Sequence, residues 1–304
     1  MRHIRLFESF EIVQPINYGE PLNNREINFL RGYNVMCPEW ISKDDNYYYV
    51  FNHRSENIKD LPLTYINAVC SKFGIKKYTI NDDHTIDVSG DVYIKYKSLT
   101  KIPLKFNIVS GIFNFYGNKL TTLYGSPRSV DHFNCSGNRL TTLEGSPESV
   151  DGNFYCQYNK LTTLEGSPES VGGDFYCGSN HLTTLLGSPK TIGGHFDCRD
   201  NKITTLEGSP KTIGVHFDCR DNNLTTLEGG PESVDGNFYC QYNQLTTLEG
   251  SPKKVGGDFY CSFNKLTTLE GGPEYVGGDF NCKDNPLVSF EYKGSLKGKL
   301  IYNL

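Results

Sequence analysis

The sequence predicts a β-rich solenoid, a right-handed stack of parallel strands joined by irregular, polyproline-like returns and preceded by a small α+β cap. Three observations carry this. First, Cys135, Cys156, Cys177, Cys198, Cys219, Cys240, Cys261 and Cys282 recur every 21 residues. A period of this length means stacked supersecondary units, each burying its apolar face only against its neighbours. Second, every unit carries Phe and Cys two residues apart, as at Phe154/Cys156 and Phe175/Cys177, so both lie on one face of a strand. Third, the remainder of each unit is too short, and too rich in Gly and Pro, to form a helix.

In chain order, residues 1–85 form the non-repeating cap and residues 86–304 the solenoid: degenerate coils over 86–119, regular repeats over 120–286 and a C-terminal cap over 287–304. The opening Met1–Glu11 is expected to form a short amphipathic helix, with Ile4, Phe7 and Phe10 on one side. It lacks a continuous apolar segment, so no secretory leader is expected. The cap region holds the sole Trp (Trp40), Cys37, Cys70 and the run Tyr47-Tyr48-Tyr49-Val50-Phe51. It also holds a helix over Leu63–Phe73. Its role would be to cover the first coil, because an open solenoid end exposes core and strand edge. A hairpin follows: Tyr78 to Ile80, a turn from Asn81, then Ile86 to Val88.

Within a coil, Leu161, Leu164 and Val171 are expected to close the core beneath Phe175 and Cys177. Asn180 ends the strand, its amide bonding backbone groups of its own turn and of the next coil. Val92/Ile94 and Phe113/Phe115 take the Phe and Cys places in the degenerate coils, and Leu300/Tyr302 take them at the far end. Phe133 arrives one residue early, so one glycine is missing at Asp131-His132. Eleven rungs result, a stack of about 50 Å at ~4.8 Å per strand.

The pattern Leu-x-x-Leu-x-x-x-Pro-x-x-Val, then Phe-x-Cys-x-x-Asn-x-Leu, resembles a leucine-rich repeat of the short bacterial and viral type. The wording Leu-Thr-x-Leu-x-Gly-x-Pro is closest to uncharacterised repeat proteins of tailed phages and large DNA viruses. The chain departs from the standard frame in placing Phe and Cys where Leu is usual, and in an extra Gly before the strand. The resemblance implies a solenoid, and a virus-encoded protein acting inside a host cell.

The chain has 304 residues and a net charge of −5. No run approaches the ~18 apolar residues of a membrane span, so no membrane partner is expected. The column Glu144, Glu165, Glu207, Glu228, Glu249 and Glu270 argues against a nucleic-acid backbone as partner. The column cysteines would face inward between Phe and Leu, behaving as small hydrophobes rather than as disulfides or converging zinc ligands. That implies a reducing compartment, the cytosol of a cell or of an infected host.

The strand face that points away from the core varies while the core does not. Two adjacent rungs carry the same string, His195-Phe-Asp197-Cys-Arg199-Asp200 and His216-Phe-Asp218-Cys-Arg220-Asp221, with Tyr155 and Tyr176 on one side and Tyr239 and Tyr260 on the other. In register, like residues would stand side by side, and Asp197 would relieve the column by pairing with Arg199 or Arg220. One reading is a self-satisfied salt-bridge lattice copied by duplication. Another is a protein-binding face, aromatic and Arg-containing. A metal or catalytic use of His195, His216, Asp197 and Asp218 is adequate in ligand type, but a flat sheet offers these columns no pocket. There is no phosphate loop, His-Glu-x-x-His, Gly-x-Ser-x-Gly or Cys-x-x-Cys. The Thr-Thr pairs, Thr141-Thr142 to Thr267-Thr268, would make a hydroxyl ladder suited to ice or polysaccharide, or would only satisfy local turns.

The expectation is a non-enzymatic module, without metal or cofactor, that binds a protein through its parallel sheet. The alternative is a structural or virion-packaged component.

Overall fold

The computed structural model describes residues 2–6, 12–16, 42–44, 47–50 and 63–303, the first four stretches for backbone alone. Two compact units emerge: residues 1–89 with 103–107, and residues 90–102 with 108–304.

In the first unit, β1 (Arg2–Leu6) pairs antiparallel with β2 (Ile12–Ile16) and parallel with β4 (Tyr47–Val50). β4 in turn pairs antiparallel with β3 (Ser42–Asp44). The helix expected at the start is therefore a strand over Arg2–Leu6. The sequence explains why: His3-Ile4-Arg5-Leu6 alternates polar and apolar with the period of a sheet, and so short a segment gains little as an isolated helix. Phe7 to Glu11, Cys37 and Trp40 lie outside the described residues. The helix α1 spans Leu63–Phe73 as the sequence predicts, burying Ile66, Val69 and Cys70 on one stripe. β5 (Tyr78–Ile80) and β6 (Ile86–Val88) form the antiparallel hairpin. Its turn is closed by the Asn81 N–H donating to the Thr85 carbonyl at 2.9 Å.

The second unit is a parallel β-solenoid. Val92, Phe113, Phe133, Phe154, Phe175, Phe196, Phe217, Phe238, Phe259, Phe280 and Leu300 pair each with the next in parallel register, giving eleven rungs among the described residues. A second parallel ladder, which the sequence reading placed in the irregular return, runs through Val130, Val150, Val171, Ile192, Ile213, Val234, Val255, Val276 and Leu296. The glycines explain the split into two strands. A Cβ on Gly172 would run into the Asp151 carbonyl oxygen of the neighbouring coil, so backbone passes close to backbone there and the strand is interrupted. Where that glycine is missing, Ser129–Asn134 is one continuous strand of six residues.

The core is a set of columns. Leu161, Leu164, Val171, Phe175 and Cys177 are all buried, and the same holds in each regular coil. From Phe133 to Phe259 the Phe rings stack with centroids 5.1 to 5.8 Å apart. Phe280 breaks the stack, turning edge-on to Phe259 at 5.0 Å and to Tyr292 at 4.9 Å. The eight column cysteines are free and buried. Each is small enough to sit beside Phe, and six of the eight thiols find a weak acceptor, as where Cys156 Sγ donates to the Tyr176 carbonyl of the next coil at 3.3 Å. Burial pushes these thiols well above their ordinary pKa, so they stay protonated.

Asparagine ties the coils together. Asn180 Oδ1 accepts the Leu161 N–H at 3.1 Å, while its Nδ2 donates to the carbonyls of Cys156 at 3.1 Å and Cys177 at 3.0 Å. Its partner coil is thus the preceding one rather than the next. The buried backbone groups at the strand end are satisfied this way in coil after coil.

Candidate functional site

The face of the Phe-bearing strands that points away from the core is organised by the residue just before Phe. Asp174 Oδ1 accepts the His195 N–H at 2.8 Å, and Asp258 Oδ1 accepts the Asp279 N–H at 2.7 Å. His216 Nδ1 accepts the Asn237 N–H at 2.7 Å. Asp, Asn and His recur in this column because each places an acceptor two bonds beyond Cβ, within reach of the next coil. For His216 this fixes the neutral tautomer with its proton on Nε2. Burial, then the neighbouring His195, holds its pKa below the ordinary value.

The same column anchors the tyrosines. Tyr176 donates to Asp174 Oδ2 at 3.2 Å and Tyr260 to Asp258 Oδ2 at 2.9 Å, while Asn153 and Asn237 donate to the hydroxyls of Tyr155 and Tyr239 at 2.7 Å. Tyr155 stacks on Tyr176 at 5.2 Å and Tyr239 on Tyr260 at 5.1 Å, so these half-buried rings are held rigid.

Between the two tyrosine pairs lie the twin rungs, in register as the sequence predicts. The His195 and His216 rings stand 4.7 Å apart. Asp197 and Asp218 differ from expectation: they are only 6% and 8% exposed, covered by the arginines that bind them. Arg199 Nε lies 3.2 Å from Asp197 Oδ2, and an Arg220 terminal nitrogen 2.9 Å from Asp218 Oδ2. Each carboxylate also accepts the backbone N–H of its own arginine, at 3.1 and 3.2 Å. Arg220 lies over the Tyr239 ring at 5.5 Å. Asp200 and Asp221 remain exposed, Asp200 accepting the Ser179 hydroxyl at 2.8 Å.

Burial, then the charge of Asp218, pushes the Asp197 carboxyl from 3.8 up to about 6, and burial pushes Asp218 upward as well. A carboxyl whose pKa is raised by folding keeps its proton longer in the native state. Its ionisation therefore opposes stability above about pH 6, and the penalty fades as pH falls toward the unfolded value near ~4. Asp197→Asn is expected to raise stability at pH 7 by on the order of 2 kcal/mol. It should also flatten the gain in stability that the parent shows on going from pH 7 to pH 5. Urea denaturation at the two pH values checks this. A variant less stable than the parent at pH 7 would show that the ion pairs outweigh burial.

Of a second set of residues the sequence reading named only Asp200 and Asp221 as site residues. Tyr158, Ser179, Asp200, Asp221, Tyr242, Phe263 and Asp284 occupy one column, with φ between 53° and 56°. This left-handed conformation costs a residue with a Cβ roughly 1–2 kcal/mol, least for Asn and Asp. Asp is therefore ordinary in the column and the aromatics are not, yet Tyr158 is 66% exposed and Tyr242 50%. Tyr96, 68% exposed, is held the same way at φ 53°. Tyr96 and Tyr158 rim a depression of about 390 Å³ whose wall includes Tyr116, Tyr155, Asn114, Asn134 and Gln157. The available signal was an aromatic residue where a turn asks for Asp, Asn or Gly.

Among the described residues there is no group of three side chains placed to hold a metal ion. The Thr pairs divide their work. In all pairs but Thr141-Thr142 the second caps its own turn, Thr163 Oγ1 accepting the Glu165 N–H at 3.2 Å, and the first is exposed. Among the described residues no helix is long and apolar enough to cross a membrane.

Fold and site together define a parallel β-solenoid of 21-residue coils with a polar and aromatic strand face. No protein-family model matches the chain, and no curated protein matches it. Among solved structures it is similar to YopM from Yersinia enterocolitica WA-314, at 19% identity and a TM-score of 0.42, over 69% of this chain. The match spans 55% of the YopM chain, about half its length.

Proposed function

We propose that this chain is a non-enzymatic binding protein that engages a protein partner through the outward face of its Phe-bearing strands. His195, Arg199, Asp200, His216, Arg220 and Asp221 would form the centre, with Tyr155, Tyr176, Tyr239 and Tyr260 beside it. Asp197 and Asp218 act from beneath, holding the guanidiniums in place. The observation that carries this reading is that the outward strand face changes character while the core does not. The core columns are nearly constant, whereas the middle of the strand face switches from paired tyrosines to paired His-Asp-Arg-Asp and back. Pre-ordered Arg and Tyr are the side chains that dominate protein interfaces, because little entropy is lost when they are covered. The Leu-Thr-x-Leu-x-Gly-x-Pro wording favours a phage or viral source, and the column of free thiols favours a reducing host compartment.

Capture of the partner from host extract tests the reading. Arg199→Ala with Arg220→Ala is expected to abolish capture, whereas changing Glu207 and Glu228, in the turn column of the same coils, should leave it intact. Equal capture by both variants would remove the strand face from consideration.

A further inference from the structure

We propose that the partner is read as a linear polypeptide segment crossing the rungs. It would seat one end in the depression between Tyr96 and Tyr158, seat the other against Tyr242 and Phe263, and lay a basic side chain over the acidic centre between them. The inference rests on the protein-binding reading above and adds the form and chemistry of the partner.

The two ends are the same device used twice. The string Asn-Phe-Tyr-Cys-Gln-Tyr-Asn occurs at 153–159 and again at 237–243, four coils further on. In both copies the Gln side chain has a buried Oε1 with no hydrogen-bond partner, and the Tyr after it is exposed with positive φ. Tyr242 stacks on exposed Phe263 at 4.5 Å, whereas Tyr158 faces the depression. Bulky rings in a strained, solvent-facing position are not explained by folding, since Ser179 fills the same place in the coil between.

The hydrogen-bonding groups at the first cup specify an amide-rich ligand. Asn114 and Asn134 spend their Oδ1 atoms on the N–H groups of Tyr116 and Ser136, at 3.0 Å each. Their Nδ2 groups make no hydrogen bond among the described residues, and so ask for acceptors. Gln157, in the same wall, asks for a donor. A peptide backbone offers both at every residue. Tyr158 and Tyr242 lie four rungs apart, roughly 19 Å at ~4.8 Å each, which an extended chain covers with about six residues, and reaching into the depression takes a few more.

Charge supplies the middle. The twin rungs hold four carboxyls, Asp197, Asp200, Asp218 and Asp221, against two guanidiniums. Both guanidiniums are spent on the buried pair, which leaves Asp200 and Asp221 exposed to attract a Lys or Arg.

The full chain is screened against a displayed library of random linear peptides of about ten residues. Enriched peptides are then measured by fluorescence anisotropy on the parent, on Tyr158→Ser and on Tyr242→Ser. Serine is chosen because Ser179 already tolerates this backbone conformation. Enriched sequences should carry Lys or Arg between two ring-stacking or amide residues. Each variant should lose about tenfold in affinity, with its melting temperature unchanged. Binding should weaken with added salt and vanish when the central base becomes Glu. Absence of enrichment, or peptides indifferent to both tyrosines, would overturn the proposal. So would a glycan array that binds through Tyr158 while peptides do not. If peptides fail but a native partner is still captured in an Arg199- and Arg220-dependent way, the protein-binding reading stands and only the linear form is lost.

Discussion

Phe217→Ala is expected to lower the stability of the chain by about 3–5 kcal/mol. Phe217 is fully buried, and its ring lies between Phe196 at 5.3 Å and Phe238 at 5.2 Å. In a solenoid each coil touches only its neighbours, so one lost ring weakens two coil interfaces at once. The gap cannot be filled by a side chain from elsewhere, because the next coils are pinned in register by their own ladders. Tyr239→Ala is the internal control. Its ring is half-buried and stacked on Tyr260, and its removal should cost only about 1–2 kcal/mol. Urea denaturation of the two variants decides the matter, and equal losses would mean that the assigned strand faces are reversed.

Asn222→Ala is expected to cost about 2–4 kcal/mol, although it removes no apolar surface of consequence. The Asn222 amide donates to the carbonyls of Cys198 and Cys219 at 3.1 Å and of Arg220 at 3.2 Å, and its Oδ1 accepts the Ile203 N–H at 3.0 Å. With the side chain gone, backbone groups in two coils are left buried and unpaired, and no water reaches them readily. The equivalent change at Asn285, in a less buried coil near the end of the stack, should cost clearly less. Denaturation of both variants measures the difference. Equal values would show that the amide ladder contributes no more inside the stack than at its edge.

The columns were legible in the sequence because burial in a solenoid is periodic. The spacing of Phe175, Cys177, Leu182 and Leu185 placed each in the core without reference to any other part of the chain. The helix over Leu63–Phe73 and the hairpin around Asn81 were legible from local patterning. The second ladder was not, since Val171-Gly172-Gly173 reads locally as a break. Only the carbonyl of Asp151 in the coil before shows that the glycine is there for close passage between paired strands. The opening strand was missed for another reason: Ile4, Phe7 and Phe10 also fit one face of a helix, although His3-Ile4-Arg5-Leu6 alternates as a strand does and pairs with both Ile12–Ile16 and Tyr47–Val50.

At the site, the order of the residues was legible but their depth was not. Asp197 was expected to face outward on the strand, and by parity it does. Its burial comes from Arg199 folding back across it. Nor does a sequence print φ, so the strained backbone of Tyr158 and Tyr242 is visible only in the fold.

Removing the arginines alone exposes two carboxylates that burial has already destabilised, so a loss of binding could be blamed on a loosened centre. The variant Asp197→Asn, Asp218→Asn, Arg199→Gln, Arg220→Gln avoids this. It keeps the shapes and hydrogen-bonding reach of the two buried ion pairs and removes their charges, while Asp200 and Asp221 stay as they are. Partner capture and thermal melting measured on the same preparation give the most direct test of the strand face as the binding surface. We expect a melting temperature at or above that of the parent, together with loss of capture. Undiminished capture by this folded variant would contradict a binding role for the twin rungs.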